Sequence, residues 1–306
     1  MPRRAVLTER QRAALFDLPI NKADLIRHYT LSDDDLTHIR RRRRAQNRLG
    51  FALQLCALRY PGRLLQPGEA IPEAVLAFIG AQIGVESGDL RGYGAREATR
   101  YTHSSDLQRL YDHRPFEGLA RREIAHWLTG AAEAAQSNEG LAAALLAELR
   151  ARRIIAPGVS IIERFCADAL VAAERRIEAR IADRLDNPVR VRLLQLLSDK
   201  TTGSVTRLAW LRDHEPGHSS RDANRLMDRL EWIRALHVSG SVTEGVASHR
   251  VARLRRQGER YYADGLSDLP HNRKLAILAV CVTEWRATIG RVANVVEIPW
   301  RLAPGM

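Results

Sequence analysis

The sequence predicts a mostly α-helical protein, and three observations support that prediction. Apolar residues recur three or four positions apart through most of the 306 residues, which is the spacing of a helix face. The alternating pattern of half-buried strands is nearly absent. Helix start signals and proline-glycine pairs divide the periodic stretches. We expect a mostly α fold in which two helix-turn-helix-like modules are joined by a helical connector.

The length of the chain allows two ordinary domains, and breaks in the helical pattern suggest where they meet. Pro61-Gly62 ends a first helical pair, and Pro157-Gly158 ends an alanine-rich region that starts at Gly118. We predict four segments: a first helical module over residues 1–140, a connector over 141–187, a second module over 188–289 and a divergent tail over 290–306.

The connector is predicted to contain one long helix. Ser160 followed three residues later by Glu163 indicates a capping box at its start, and the pattern runs to about Leu185. Glu174 and Glu178 each have an arginine within one turn. We interpret this stretch as a solvent-exposed face with ion pairs along the helix.

The charge of the chain points to a polyanionic partner. It carries 48 lysines and arginines against 36 acidic residues, a net charge of +12, and its isoelectric point is about 10.4. Only Lys22, Lys200 and Lys274 are lysines. Arginine binds phosphates and guanine edges through its planar fork, but a GC-rich genome also favours arginine, which weakens the inference.

The first basic cluster follows a predicted helix that is capped by Ser32 and starts with Asp33. In the next helix, Leu49, Leu53, Cys56 and Tyr60 share one face and are predicted to pack. Arg44, Asn47 and Arg48 project the opposite way. Such a run is often only solvated, although self-repulsion among neighbouring arginines favours an anionic partner. The candidate contacts are Arg40, Arg41, Arg42, Arg43, Arg44, Asn47 and Arg48.

A second, weaker cluster lies between Tyr93 and Tyr101. Arg96 and Arg100 are one turn apart and fit either side of a phosphate, or they pair with Glu97. Both interpretations stay open.

A third cluster has the order of a helix-turn-helix motif. A short helix over Val205–Arg212 is followed by a turn at His214–Gly217 and by a helix that starts at Ser219 or Ser220 and runs to about Leu236. The second helix is predicted to bury Leu226, Leu230 and Ile233 and to expose Arg221, Asn224, Arg225 and Asp228. Arginine and asparagine there suit a recognition helix, although many antiparallel helix pairs look alike.

A fourth cluster lies on a predicted helix over Arg250–Arg260. Val251, Leu254 and Gly258 share one side, and Arg253, Arg256 and Arg260 share the other. This is either a helix that clamps a nucleic-acid backbone or a solvated face.

The sequence shows no pattern typical of a catalytic or cofactor site. Phosphate-binding, dinucleotide-binding, zinc-protease and serine-hydrolase motifs are missing, and Pro216 between His214 and His218 indicates a turn pair rather than a metal site. Cys56, Cys166 and Cys281 lie in apolar helical patterns and favour a reducing cytoplasm. We expect a cytoplasmic protein without membrane spans, cofactor, metal or catalytic residues.

Several segments, in the same order along the chain, resemble the N-terminal sequence of the Tn3 family of bacterial transposases. The resemblance covers about residues 5–285 and ends near Ile289. Its segments are Leu7-Thr8-Glu9-Arg10, His28-Tyr29-Thr30-Leu31-Ser32-Asp33, Arg40 to Arg43, Asn47 to Cys56, Tyr60-Pro61-Gly62-Arg63, Tyr93-Gly94-Ala95-Arg96, Trp210-Leu211-Arg212 and Asp228-Arg229-Leu230.

The resemblance implies that two successive helical modules bind double-stranded DNA at the terminal inverted repeats of a transposon. It assigns the first DNA surface to Arg40–Arg44, Asn47, Arg48, Arg96 and Arg100. The family's acidic, Mg²⁺-binding catalytic residues belong to an RNase H-like domain that no position here matches, so the resemblance implies a truncated, non-enzymatic chain associated with the nucleoid. A second copy of the chain or an intact transposase would be a protein partner.

Two alternatives remain at this stage. The basic faces of a helical interaction protein would bind RNA or an acidic protein. An enzyme with a metal site that the sequence does not reveal would nick or join DNA in the presence of Mg²⁺.

Overall fold

The described part of the chain folds mainly into helices. The computed structural model describes residues 7–90, 93, 97–200, 205–213 and 220–301, and within these ranges it contains fifteen α-helices, two short 3-10 helices and two isolated β-bridges. The prediction of a mostly α protein is confirmed.

The chain divides into two compact units, Met1–Leu170 and Val171–Met306. The helices are α1 (Glu9–Phe16), α2 (Lys22–Tyr29), α3 (Asp33–Arg40), α4 (Ala45–Arg59), α5 (Glu73–Ile83), α6 (Glu97–Leu110), α7 (Gly118–Ala134), α8 (Asn138–Ala151), α9 (Val159–Asp183), α10 (Asn187–Ser198), α11 (Arg207–Arg212), α12 (Ser220–Ala235), α13 (Ser248–Arg260), α14 (Ala263–Ser267) and α15 (His271–Arg301).

The division after Leu170 lies inside the segment 141–187, which the sequence predicts as a connector. The helix α8 belongs to that segment but packs against α1 and α7, so the first compact unit extends well past residue 140. α15 extends into the segment predicted as a divergent tail, and residues 302–306 lie outside the described part of the chain. The division of function between two DNA-binding modules stays a prediction.

Short polar caps start the first three helices. Thr8, Asn21 and Ser32 each accept a hydrogen bond from a backbone amide in the first turn that follows them. At Ser32 the capping box is completed by Asp35, whose carboxylate accepts a hydrogen bond from the Ser32 amide at 2.7 Å. These caps set where each short helix begins and therefore how α3 approaches α4.

The helix α4 lies at the centre of the first unit, and every residue from Leu49 to Leu58 is buried. The predicted stripe of Leu49, Leu53 and Cys56 is buried. The residues predicted opposite it, Arg44, Asn47 and Arg48, lie only at the start of the helix. Phe51 and Leu55 project from the opposite side and are buried as well, because α2, α3, α5 and α6 surround the helix. Within α4 only the first turn, Ala45–Arg48, and the last residue, Arg59, are partly exposed.

The predicted capping box at Ser160 is also wrong. The helix α9 begins at Val159, and the carbonyl oxygen of Gly158 accepts from the amides of both Ile161 and Ile162. Glu163 is held elsewhere, because its carboxylate accepts two hydrogen bonds from Arg12, at 2.8 and 2.9 Å. A bidentate arginine contact replaces the local cap.

The second unit is built around α15, in which eight consecutive residues from Leu275 to Val282 are buried against α12 and α13. Several arginines here bind backbone carbonyls. Arg184 donates to the carbonyl oxygens of Val242 and Glu244 at 3.1 and 2.6 Å, and Arg286 donates to that of Val238 at 2.8 Å. Part of the arginine content therefore holds the fold together.

The helices α13 and α15 pack tightly at Gly258. A Cβ atom at this position would lie 2.2 Å from the Sγ atom of Cys281. We expect Gly258→Ala to destabilise the protein by about 1–3 kcal/mol, because the added methyl group overpacks this contact. Thermal denaturation followed by circular dichroism measures the effect.

Gly290→Ala is the matched control, since it makes the same change on α15 with no heavy atom within 4 Å of the new Cβ. It should leave the melting temperature unchanged or raise it slightly, because alanine favours helix over glycine. Equal melting temperatures for the two variants would contradict close packing at Gly258.

Candidate nucleic-acid interface

The basic loop, defined as Arg40–Arg44, joins α3 to α4. Arg40 is the last residue of α3, and Arg41 to Arg44 form the connection, so the run is not a continuous helical face. Arg40, Arg41, Arg43 and Arg44 are exposed. None of these four guanidinium groups makes an ion pair or hydrogen bond with another residue in the part of the chain that the structure describes.

Arg42 differs from its neighbours because its side chain turns inward and is only 18% exposed. Its Nη1 atom donates to the carboxylate of Asp106 on α6 at 2.7 Å. Its guanidinium carbon lies 4.2 Å from the centroid of the Phe51 ring, within cation-π range. Arg42 therefore attaches the basic loop to α4 and α6.

The loop leads into the N-terminus of α4, where Asn47 and Arg48 are partly buried. Arg44 occupies the cap position but makes no side-chain cap, so the first amides of α4 lack the cap that α3 has. The positive end of the helix dipole adds to the charge of the arginines. The exposed arginines and the start of α4 therefore bring several positive charges together between α3 and α4.

A buried carboxylate fixes α3 behind this surface. Both oxygens of Asp35 accept from Arg59 at 2.7 Å, and the Tyr111 hydroxyl donates to one of them at 2.9 Å. Burial alone raises the pKa of Asp35, but the hydrogen bonds from Arg59, the Ser32 amide and Tyr111 outweigh it and hold the pKa below its usual value.

The second predicted cluster is only partly described. Arg96 lies outside the described residues, as does the side chain of Glu97. Arg100 is partly buried on α6, and its Nε atom has no hydrogen-bond partner among the residues described. The predicted relation of Arg96 and Arg100, to a phosphate or to Glu97, therefore stays a prediction.

An aromatic contact supports the start of α6. The Tyr93 ring covers Gly50, where an added Cβ would lie 2.2 Å away, and its hydroxyl lies 3.1 Å from Nδ1 of His103. Burial, together with the charge of Arg42, lowers the pKa of His103 to about 4, so this histidine is neutral at pH 7. It acts as a packing residue beside Arg42.

In the second unit, α11 and α12 are held together by arginine and tryptophan. The guanidinium of Arg207 lies between the rings of Trp210 and Trp232, 5.2 and 4.5 Å from their centroids. Arg229 is 8% exposed, lies over Trp210 and donates to Asp213 at 2.9 Å. The sequence prediction does not include this cluster, although Arg229 lies three residues after Leu226 and four before Ile233, which is a signal that it faces inward.

The exposed face of α12 agrees with the sequence. Leu226, Leu230 and Ile233 are buried as predicted, and the four polar residues predicted to face outward, Arg221, Asn224, Arg225 and Asp228, are exposed. Arg225 lies 3.5 Å from Asp222 on the same helix. The predicted turn His214–Gly217 and Ser219 lie outside the described residues, so the helix-turn-helix geometry itself stays a prediction.

The fourth cluster lies on α13 and is divided by ion pairs. Arg256 is exposed, whereas Arg253 pairs with Glu174, as does the buried Arg250 at 3.6 Å. Glu178 is 10% exposed in its side chain and lies 3.6 Å from Arg273. The predicted solvent-exposed face at Glu174 and Glu178 is therefore wrong, because α13 and α15 cover it.

Within the described ranges, no three His, Cys, Asp or Glu side chains are grouped as a metal site requires. The structure also contains no described helix that is long and apolar enough to cross a membrane. Cys56, Cys166 and Cys281 are buried as free thiols, and burial raises the pKa of each to about 12.

The fold and its surfaces define a two-unit helical protein in which exposed arginines cluster at helix ends. Residues 6–169 match a family described as "Domain of unknown function (DUF4158)", and the chain belongs to that family. The matched range ends one residue before the boundary of the first compact unit.

The chain is also homologous to Tn3-family transposases. It is 38% identical over 289 residues to the transposase for transposon Tn3926 and 38% over 291 residues to that for Tn21, both from Escherichia coli. It is 34% identical over 289 residues to the transposase for Tn501 from Pseudomonas aeruginosa. Each alignment covers 94% of this chain, which spans 29% of the length of these relatives.

The lowered pKa of Asp35 predicts a pH-dependent stability. A carboxyl group whose pKa is lower in the folded state stabilises the protein fully above its unfolded pKa of about 4, and this stabilisation is lost as the pH falls through the folded value. Asp35→Asn should therefore reduce the free energy of unfolding by about 2 kcal/mol near pH 7, less than for a fully buried pair because Arg59 is partly exposed.

Melting temperatures of the natural chain and Asp35→Asn, measured from pH 7 down to pH 3, check this expectation. The difference should shrink below about pH 4. A difference that keeps its full size at pH 3 would show that the charge of Asp35 contributes little. Asp34→Asn is the control, because Asp34 is exposed on the same helix.

Proposed function

We propose that this chain binds double-stranded DNA at the terminal inverted repeats of a transposon and acts in DNA transposition. The proposal assigns to these residues the binding of transposon ends and no step of strand cleavage or joining. Two lines support it: the homology to transposases along 94% of the chain and the exposed arginines of the basic loop. The observation that carries it is that the exposed guanidinium groups of Arg40, Arg41, Arg43 and Arg44 have no ion-pair or hydrogen-bond partner among the described residues.

Unpaired arginines at a helix start suit the phosphate backbone. Like charges placed side by side repel each other, and binding a polyanion removes that cost while releasing counterions from the duplex. The N-terminus of α4 adds backbone amides and a favourable dipole for a phosphate. The first unit is proposed to supply affinity and register through such contacts.

The second unit is proposed to supply base recognition. Arg221, Asn224 and Arg225 lie exposed near the start of α12, where a recognition helix reaches base edges. Arginine pairs with guanine and asparagine with adenine in the major groove. Arg256 on α13 is proposed to contact phosphate. Arg253 is already paired with Glu174, which makes it a weaker candidate.

The direct test compares three ligands at equal salt: a duplex with the inverted repeat that flanks the coding locus, a scrambled duplex and a structured RNA. The proposal expects the end duplex to bind most tightly, with affinity falling roughly 10³- to 10⁵-fold between 50 and 200 mM salt if about six to ten phosphates are contacted. Equal affinity for the end and scrambled duplexes would contradict sequence-specific binding, and preference for RNA would favour a different partner.

Removing one loop arginine should weaken binding to all duplexes alike. Arg43→Ala is expected to lower the slope of log affinity against log salt by about one, because one phosphate contact is lost. Arg122→Ala removes the same charge from an exposed position on α7 and serves as control. Identical salt slopes for the two variants would place the basic loop away from DNA.

Removing a base-reading residue should reduce specificity instead. Arg221→Ala is expected to lower the ratio of end to scrambled affinity by about fivefold to a hundredfold, because a good bidentate base contact contributes roughly 1–3 kcal/mol of discrimination. Arg234→Ala, at an exposed position near the other end of α12, should leave the ratio unchanged. A ratio unaffected by Arg221→Ala would count against α12 as the recognition helix.

A further inference from the structure

We infer that Arg42 and Asp106 form a positioning pair that orders the basic loop before DNA binds. Asp106 therefore strengthens DNA binding, although it is an acidic residue beside the proposed DNA-binding surface. The inference rests on the proposed function. It changes the role of Arg42, which the sequence placed among the DNA contacts.

The geometry excludes Arg42 from the free basic surface. Its guanidinium stacks on Phe51 at 4.2 Å and bonds to Asp106 at 2.7 Å, and its side chain is only 18% exposed. Both partners belong to buried or half-buried structure: Phe51 is fully buried in α4, and the side chain of Asp106 is 21% exposed. An ion pair that is shielded from water and stacked on a ring is stronger than an exposed one.

Position 42 is the middle of the basic loop. Two exposed arginines precede it and two follow it, so fixing Arg42 restricts where all four can point. Without that anchor, each of these long side chains and the backbone between them would have to be ordered upon binding, which lowers affinity. Asp106 also lies 3.2 Å from Arg109, but the Arg109 side chain is 78% exposed and this contact adds little.

The two accounts of Asp106 make opposite predictions. If charge alone matters, Asp106→Asn adds one unit of positive charge to the first unit and tightens DNA binding. If Asp106 positions the loop, the same substitution weakens binding, by roughly twofold to tenfold for each side chain that must then be ordered. Asp34→Asn makes the same change of charge at an exposed site on α3 without touching Arg42.

The experiment measures binding of the full chain to the end duplex together with hydrogen exchange of the free protein. For Asp106→Asn we expect weaker binding and faster exchange of the amides of residues 41–44, while the amides of the α4 core keep their protection. Asp34→Asn should bind as tightly as the natural chain or more tightly, and Asp106→Glu, which keeps the carboxylate, should restore loop protection.

Tighter binding by Asp106→Asn, or unchanged exchange in residues 41–44, overturns the inference. The exchange measurement needs no DNA and detects local opening even if Asp106→Asn lowers overall stability. If the natural chain bound the end and scrambled duplexes equally, the proposed function would be refuted. The exchange measurement would still test separately whether Arg42 and Asp106 order the basic loop.

Discussion

The exposed basic loop depends on the inward turn of Arg42. A run of five arginines repels itself, and a loop of such residues would sample many conformations if nothing held it. The carboxylate of Asp106 and the ring of Phe51 hold the middle residue, and Phe51 is itself fixed because it lies in the part of α4, Leu49 to Leu58, that is buried on all sides. The burial of α4 thus fixes Phe51, Phe51 and Asp106 hold Arg42, and Arg42 limits the conformations of the exposed arginines.

Arginines elsewhere in the chain also make structural contacts. Arg207 and Arg229 stack with tryptophans between α11 and α12, and Arg184 binds backbone carbonyls in the second unit. The high arginine content therefore serves two purposes. Guanidinium groups close to carboxylates, rings or carbonyls stabilise the fold, and those of the basic loop, which have no partner in the described part of the chain, provide the surface that we propose for DNA.

Sequence patterns predicted helices well but predicted their surroundings less well. The buried stripe of α12 at Leu226, Leu230 and Ile233 follows directly from helical spacing, because a single neighbouring core covers it. The burial of Phe51 on the other side of α4 and of Glu178 on α9 depends on helices that are distant in sequence. Local spacing carries no information about such neighbours, and for the same reason the pairing of Arg42 with Asp106, 64 residues away, could not be predicted.

The most direct test of the account is to map the basic loop on bound DNA. An iron chelate attached to Arg43→Cys would generate hydroxyl radicals next to the loop, and labelling would be selective because the three natural cysteines are buried with raised pKa values. We expect the chelate at Arg43→Cys to cleave the end duplex at one defined position, and a chelate at Arg122→Cys to give no cleavage. Cleavage that is absent from Arg43→Cys, or spread evenly along the duplex, would contradict the account.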